Sequence, residues 1–130
     1  MFSKRKLIYI LDDDESVCCA LKTLLLTYEF EVMTFNSAKG FFDAVPMDAQ
    51  GCLVLDIHMS GSDGWTVQKR LLDSGSKLSV IFISAEKKES AADRALKVGA
   101  VGFLQKPFDG QTLVDLIDRA VKNMDSTIKK

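Results

Sequence analysis

A three-layer α/β sandwich follows from three features of this sequence. Five short apolar runs of strand length alternate with five segments of helical spacing. The 130 residues are enough for one domain with one core and too few for two. Apolar residues make up 47% and charged residues 27%, the balance of an ordinary globular protein and not of a disordered chain. Such alternation calls for parallel strands joined by right-handed helical crossovers, with helices covering both sheet faces.

The first run, Leu7 to Leu11, is rich in the aliphatic and aromatic side chains that strands favour. Behind it, Val17, Leu21, Leu24 and Tyr28 share one face of a first helix at i, i+4, i+7 and i+11. Glu31 to Phe35 supplies a second strand. Phe41, Phe42 and Val45 mark a short second helix, with Ser37 as its N-cap and Pro46 as its stop. Cys52 to Leu55 is the third and weakest strand. Trp65, Val67, Leu71 and Leu72 mark a third helix that ends near Gly75. Leu78 to Ile83 is the fourth strand. Ala91, Ala92, Ala95 and Val98 line a small-faced fourth helix, stopped at Gly99. Val101 to Leu104 is the fifth strand, and Leu113, Leu116, Ile117, Ala120 and Val121 mark the fifth helix, with Asp109 near its start. From Asn123 onward the chain turns polar, so residues 1–122 are assigned to the domain and 123–130 to a tail or the start of a linker.

Charge and cysteines exclude several classes. Lys plus Arg number 17 against 18 Asp plus Glu, a formal charge of -1, so no global basic field draws this chain to nucleic acid or an acidic membrane. No apolar stretch approaches the roughly 18–20 residues a bilayer requires. The run behind the basic N-terminus is too short for a signal peptide and ends in acid. Cys18 and Cys19 are adjacent, Cys52 is distant, and no C-x-x-C occurs, which favours small buried residues over a thiolate metal site. A cytoplasmic setting is expected.

Ligands of open parallel sheets bind beyond the carboxyl ends of the strands. The first run ends in Asp12, Asp13 and Asp14, the third in Asp56, the fourth in Ser84, and the fifth leads to Lys106 and Pro107. The second ends in Thr34-Phe35-Asn36 and offers nothing comparable. Carboxylates crowded at one rim repel each other and need a positive partner. Oxygen-only ligands suit a hard divalent cation, and Mg²⁺ best, because it keeps several waters and needs only one or two direct carboxylates. The plainer alternative makes the three consecutive acids helix caps. For Asp14 that reading is preferred; for Asp12, Asp13 and Asp56 together, the metal is. Taken singly, Ser84 is an ordinary strand-end hydroxyl and Lys106 a solvated charge. Placed with a metal, they complete a set able to hold three phosphoryl oxygens, and a carboxylate could then accept the group as an acyl phosphate. No phosphate-cradling glycine loop or serine-hydrolase elbow competes, and His58, the single histidine, is given neither a catalytic nor a zinc role.

From about Leu7 to Val121 these residues together resemble the receiver domain of two-component response regulators. Ile8 to Asp14 is similar to the family's first strand and acidic pair. Leu55-Asp56-Ile57-His58-Met59 resembles the phosphoacceptor strand end, with Asp63-Gly64 closing the loop. Ile83-Ser84-Ala85 matches the hydroxyl position and the small residue after it. Gly99 to Phe108 is similar to the FixJ-type subgroup, whose regulators commonly carry a helix-turn-helix output domain. The resemblance implies a flavodoxin-like receiver fold, a five-stranded parallel sheet of order 2-1-3-4-5 with five helices. It implies Asp56 as phosphoacceptor and Mg²⁺, with Mn²⁺ as a substitute, on Asp13, Asp56 and the His58 backbone carbonyl, with Asp12 acting through metal-bound water. Lys106 and Ser84 would bind the phosphoryl group, Ala85 would admit it, and Phe103, otherwise a plain core residue, would be the aromatic switch. The bond before Pro107 is expected to be cis. Three departures stand out: Asp14 where Glu is frequent, Ser60 where Pro usually follows Met, and His58 two places after the acceptor, where its side chain could reach the site mouth.

The same resemblance implies a regulator, not a turnover enzyme, though one with its own phosphorylation and dephosphorylation chemistry. A sensor histidine kinase would donate to Asp56. The face of the fourth helix, fifth strand and fifth helix would then change shape, to form a homodimer or to control an output domain through which alone DNA is met; no membrane partner is implied. Two rivals are a pseudo-receiver that binds partners without taking phosphate and a Mg²⁺-dependent phosphatase. The complete residue set opposes the first. The second lacks a general acid two places after Asp56 and room for a substrate cap.

Overall fold

Every apolar run becomes a strand and every helical segment a helix. The computed structural model describes residues 7–85 and 89–129. In chain order the elements are β1 (Leu7–Leu11), α1 (Glu15–Thr27), β2 (Glu31–Phe35), α2 (Ala38–Ala44), β3 (Cys52–Asp56), β4 (His58–Met59), β5 (Ser62–Asp63), α3 (Gly64–Asp73), β6 (Ser79–Ser84), α4 (Glu89–Lys97), β7 (Gly102–Gln105) and α5 (Gly110–Lys129). Five strands form a parallel sheet of order β2-β1-β3-β6-β7, which is the expected 2-1-3-4-5 once the hairpin β4–β5 is set aside. That two-residue hairpin, antiparallel through His58↔Asp63 and Met59↔Ser62, has no counterpart in the apolar pattern.

Side chains of a strand alternate between faces, so each strand feeds two cores. Ile8, Ile10, Cys52, Val54, Ile81 and Ile83 meet α1 and α5 through Cys18, Leu21, Leu25, Leu113 and Ile117. Tyr9, Leu11, Leu53, Leu55, Val80 and Phe82 meet α2, α3 and α4 through Phe41, Val67, Leu71 and Ala95. Both faces are covered, which explains why β3, with all five residues buried, reads as a continuous apolar run ending in acid.

Local signals fix the helix ends. Asp14 caps α1, accepting from the backbone N–H groups of Ser16 and Val17; Ser37 caps α2 by accepting from Gly40 N–H at 3.0 Å. Asp63 caps α3 by accepting from Thr66 N–H at 2.8 Å. The chain leaves α4 through Gly99 at φ +86°, a left-handed turn that favours glycine.

Three details differ from the expectation. The buried stripe of α1 is Cys18, Leu21 and Leu25, while Tyr28 stands just past the helix, half-exposed, with its hydroxyl donating to Gln111 Oε1 at 2.9 Å. Cys18 and Cys52 are buried but Cys19 faces out, one helical step off that stripe. On α3 the inward positions are Val67, Gln68 and Leu71, which turns Leu72 to solvent. Gln68 is tolerated inside because its Nε2 donates to the Val98 carbonyl at 2.8 Å. The backbone of α5 stays helical through Lys129, well into the polar stretch. Among the described residues, no helix is long and apolar enough to cross a membrane.

Candidate functional site

β1 and β3 are neighbours at the point where strand order reverses, and Asp12 and Asp56 stand at their carboxyl ends. Carboxylate oxygens of Asp12, Asp13 and Asp56 all lie within 4.8 Å of one another. Asp12 is wholly buried. One of its oxygens accepts from Asp14 N–H at 2.9 Å and the other from the Lys106 ammonium at 2.9 Å. Its backbone is held too: the N–H donates to the Phe35 carbonyl at 3.1 Å, and the carbonyl accepts from Asn36 Nδ2 at 3.2 Å and Cys18 Sγ at 3.3 Å. Sequence reasoning passes over Asn36 and Cys18 as parts of this site. For Asn36 the usable signal is its place one residue past the second strand, on the same rim.

Asp56 is 4% exposed, and its Oδ1 lies 3.7 Å from the Lys106 ammonium. Burial first, and the neighbouring charge of Asp12 second, push its carboxyl up to about 6, against the pull of Lys106 and of a hydrogen bond from the His58 backbone N–H. For Lys106, burial works against the charge, but the bond to Asp12 and the negative field of Asp12, Asp56 and Asp14 outweigh it, so its pKa is raised. Asp13 is exposed, and its Oδ2 accepts from the Ser60 backbone N–H at 2.7 Å.

The opposite wall comes from β6 and β7. Ser84, 1% exposed, ends β6, and its carbonyl accepts from Lys106 N–H at 2.7 Å. Lys106–Pro107 is a cis bond, as expected. Ala85 follows Ser84 and is exposed. Phe103 lies on β7 opposite Phe82 and packs half-buried against the α2–α4 core. Next to this wall is an open cavity of about 220 Å³ lined by Ile57, His58, Trp65, Ser84, Ala91 and Arg94 among others. The Arg94 guanidinium lies 4.2 Å over the Trp65 ring, which itself packs on Phe82 at 4.6 Å.

Gly64 shows how tightly the acceptor strand is turned. A Cβ there would sit 2.6 Å from the Asp56 carbonyl oxygen and 3.0 Å from the Ile57 Cα, both backbone atoms that cannot move aside cheaply. Gly64→Ala is therefore expected to destabilise by about 1–3 kcal/mol, read from urea unfolding. An unchanged midpoint would show that the Asp56–Ile57 segment yields freely.

The donor set fits a hard divalent cation. Three carboxylates offer oxygen only, and among the described residues one ammonium, that of Lys106, stands with them and leaves the group net negative. The structure thus brings together Asp12, Asp13, Asp56 and Lys106, and sets Ser84 and the His58 backbone at the same rim.

Residues 8–118 match the family described as the response regulator receiver domain. The transcriptional regulatory protein TdiR of Thauera aromatica is 40% identical over 114 residues, covering 88% of this chain and 50% of TdiR. The response regulator TodT of Pseudomonas putida is 39% identical over 122 residues, covering 94% of this chain and 54% of TodT. Full-length FixJ from B. japonicum superposes with a TM-score of 0.87 at 33% identity, covering 98% of this chain and 63% of that one. The chain spans about half the length of the curated relatives it matches. A match over most of the chain, on a parallel sheet whose strand ends collect buried aspartates, settles the family: this chain belongs to the response regulator receiver domains of two-component systems.

Proposed function

We propose that Asp56 takes a phosphoryl group from a phosphohistidine on a sensor kinase. An Asp56 carboxylate oxygen attacks phosphorus, the P–N bond breaks, and the histidine nitrogen leaves with the bonding pair. Mg²⁺, or Mn²⁺ in its place, would be held by Asp13, Asp56 and the His58 carbonyl, with Asp12 reached through water, and would supply positive charge to the phosphoryl oxygens. Lys106 pairs with the same oxygens and Ser84 donates its hydroxyl to them, while the small side chain of Ala85 leaves room. Pro107 fixes the turn from which Lys106 reaches in. What carries the reading is the gathering of three aspartates and one lysine from opposite ends of the chain at a single rim.

Phosphorylation replaces a carboxylate by a dianion that needs more donors than Lys106 alone provides. Ser84 moving toward it draws the end of β6 inward, and Phe103 turns into the space behind. The face of α4, β7 and α5 then changes shape, to form a homodimer or to control an output domain. Relatives named as transcriptional regulatory proteins are about twice as long as the segment matched here, so the output we assign is control of transcription, with DNA met only through that other domain. Residues 123–130 would lead toward it.

Treatment with acetyl phosphate and Mg²⁺ tests the chemistry. Wild type is expected to gain one hydroxylamine-labile phosphoryl group by intact mass, absent without Mg²⁺ and absent in Asp56→Asn. Equal labelling of the variant would place the acceptor elsewhere. No labelling of either protein, by acetyl phosphate or a kinase, would leave an interaction module that never takes phosphate.

A further inference from the structure

We infer that the backbone N–H of Ser60 is a positioning group for the metal centre, fixing the Asp13 carboxylate before the ion arrives. The inference rests on the proposed role of Asp13 as a Mg²⁺ ligand. Asp13 lies on the exposed rim, where an aspartate ordinarily rotates among several conformers. Here a short 2.7 Å bond from a residue 47 positions away holds its Oδ2. A carboxylate has two oxygens, so one that is hydrogen-bonded leaves the other for a cation. Donors of this kind behind a ligating carboxylate set its orientation and sustain metal affinity.

Turn geometry explains why that donor is available. The pairs His58↔Asp63 and Met59↔Ser62 leave Ser60 and Gly61 as a two-residue turn. Gly61 has φ +77°, and Ser60 is not among the residues with positive φ. Negative followed by positive is the type II pattern, in which the N–H of the first central residue plays no part in closing the turn. It is free of duties within the hairpin and points to Asp13 instead. Because the donor is main-chain, every residue type at position 60 supplies it except proline.

That exception makes the test clean. Proline is favoured at the first central position of a type II turn, and Met59 before it is already in strand conformation, as a residue preceding proline must be. Ser60→Pro therefore removes the donor and leaves the hairpin otherwise suited to its sequence. Ser60→Ala removes only the hydroxyl.

The experiment is MgCl2 titration of the full chain by calorimetry and by the emission of Trp65, the single tryptophan, whose ring lines the cavity beside His58 and Ser84. Ser60→Pro is expected to weaken Mg²⁺ binding roughly tenfold and Ser60→Ala by less than about twofold, with all three proteins melting cooperatively in the absence of the ion. Equal affinity of the two variants, in either direction, overturns the inference while leaving the metal reading intact. Wild type that binds no Mg²⁺ overturns both. A second measurement needs no variant: the Ser60 amide proton of wild type should exchange no faster when Mg²⁺ saturates. Faster exchange would mean that ion and N–H compete for Asp13, and the inference would fail.

Discussion

Asp56→Asn is expected to stabilise the metal-free protein by about 3 kcal/mol above about pH 7 and to flatten its stability between about pH 4 and 6. The cause is the cost of an ionised carboxylate that is 4% exposed and faces the wholly buried Asp12. Its folded pKa of about 6 lies above the ordinary 3.8. Between those values the folded chain keeps a proton that the unfolded chain has released. The contribution of this group is thus fully present below the unfolded pKa, declines as pH rises through the folded one, and is gone above it. Asparagine is nearly the same size, can still accept from His58 N–H, and carries no charge, so the variant escapes the decline. Mg²⁺ should reverse the ranking, since a ligand that binds only the folded state raises stability with the logarithm of its concentration over Kd, and the variant would lack one of the proposed ligating oxygens. Urea unfolding of both proteins over that pH range, with EDTA and then with Mg²⁺, checks each part. A variant less stable than wild type in EDTA would show that Lys106 already compensates the Asp56 charge.

The rest of the site differs in how far it could be read from the chain. Asp12, Asp13 and Asp56 were legible because parallel strands point their carboxyl ends at one rim, so an acid that ends an apolar run has a predictable address. Lys106 was legible for the same reason from the end of β7. Ser60 and Asn36 were not. Ser60 acts through its amide, which every residue but proline shares, and only the turn at Gly61 aims it. Asn36 acts on the Asp12 carbonyl, a contact set by how β2 pairs with β1 and invisible to any periodicity. Arg94 reaches Trp65 across two helices whose spacing no local pattern encodes. The same limit explains α1: helical spacing identified the helix, but the choice of Cys18 and Leu25 over Val17 and Leu24 turns on a rotation of one residue, decided by the sheet beneath. Periodicity gave elements and ends; pairing and turns gave the contacts that hold the centre in place.

Lys106→Met should be the most damaging single change at the site, with a loss of about 2–4 kcal/mol at neutral pH without metal. Methionine keeps the length and apolar stem of the side chain, so packing changes little and the ammonium is what disappears. Asp12 then has no cation at 2.9 Å and Asp56 none at 3.7 Å, while both stay buried and within reach of each other. Removing one partner of a buried pair is harsher than removing both, because the remaining charge keeps its desolvation cost and loses its compensation. Two consequences separate this from a packing defect. Acidification should narrow the gap between variant and wild type, since a protonated Asp56 no longer needs the ammonium. Adding Asp12→Asn to Lys106→Met should restore part of the lost stability, so the two substitutions are strongly non-additive. Both are read from urea midpoints of the four proteins of the cycle. A loss below about 1 kcal/mol, unchanged by acid, would return Lys106 to the rank of a solvated surface charge and leave the charge of three crowded aspartates to be balanced by a metal.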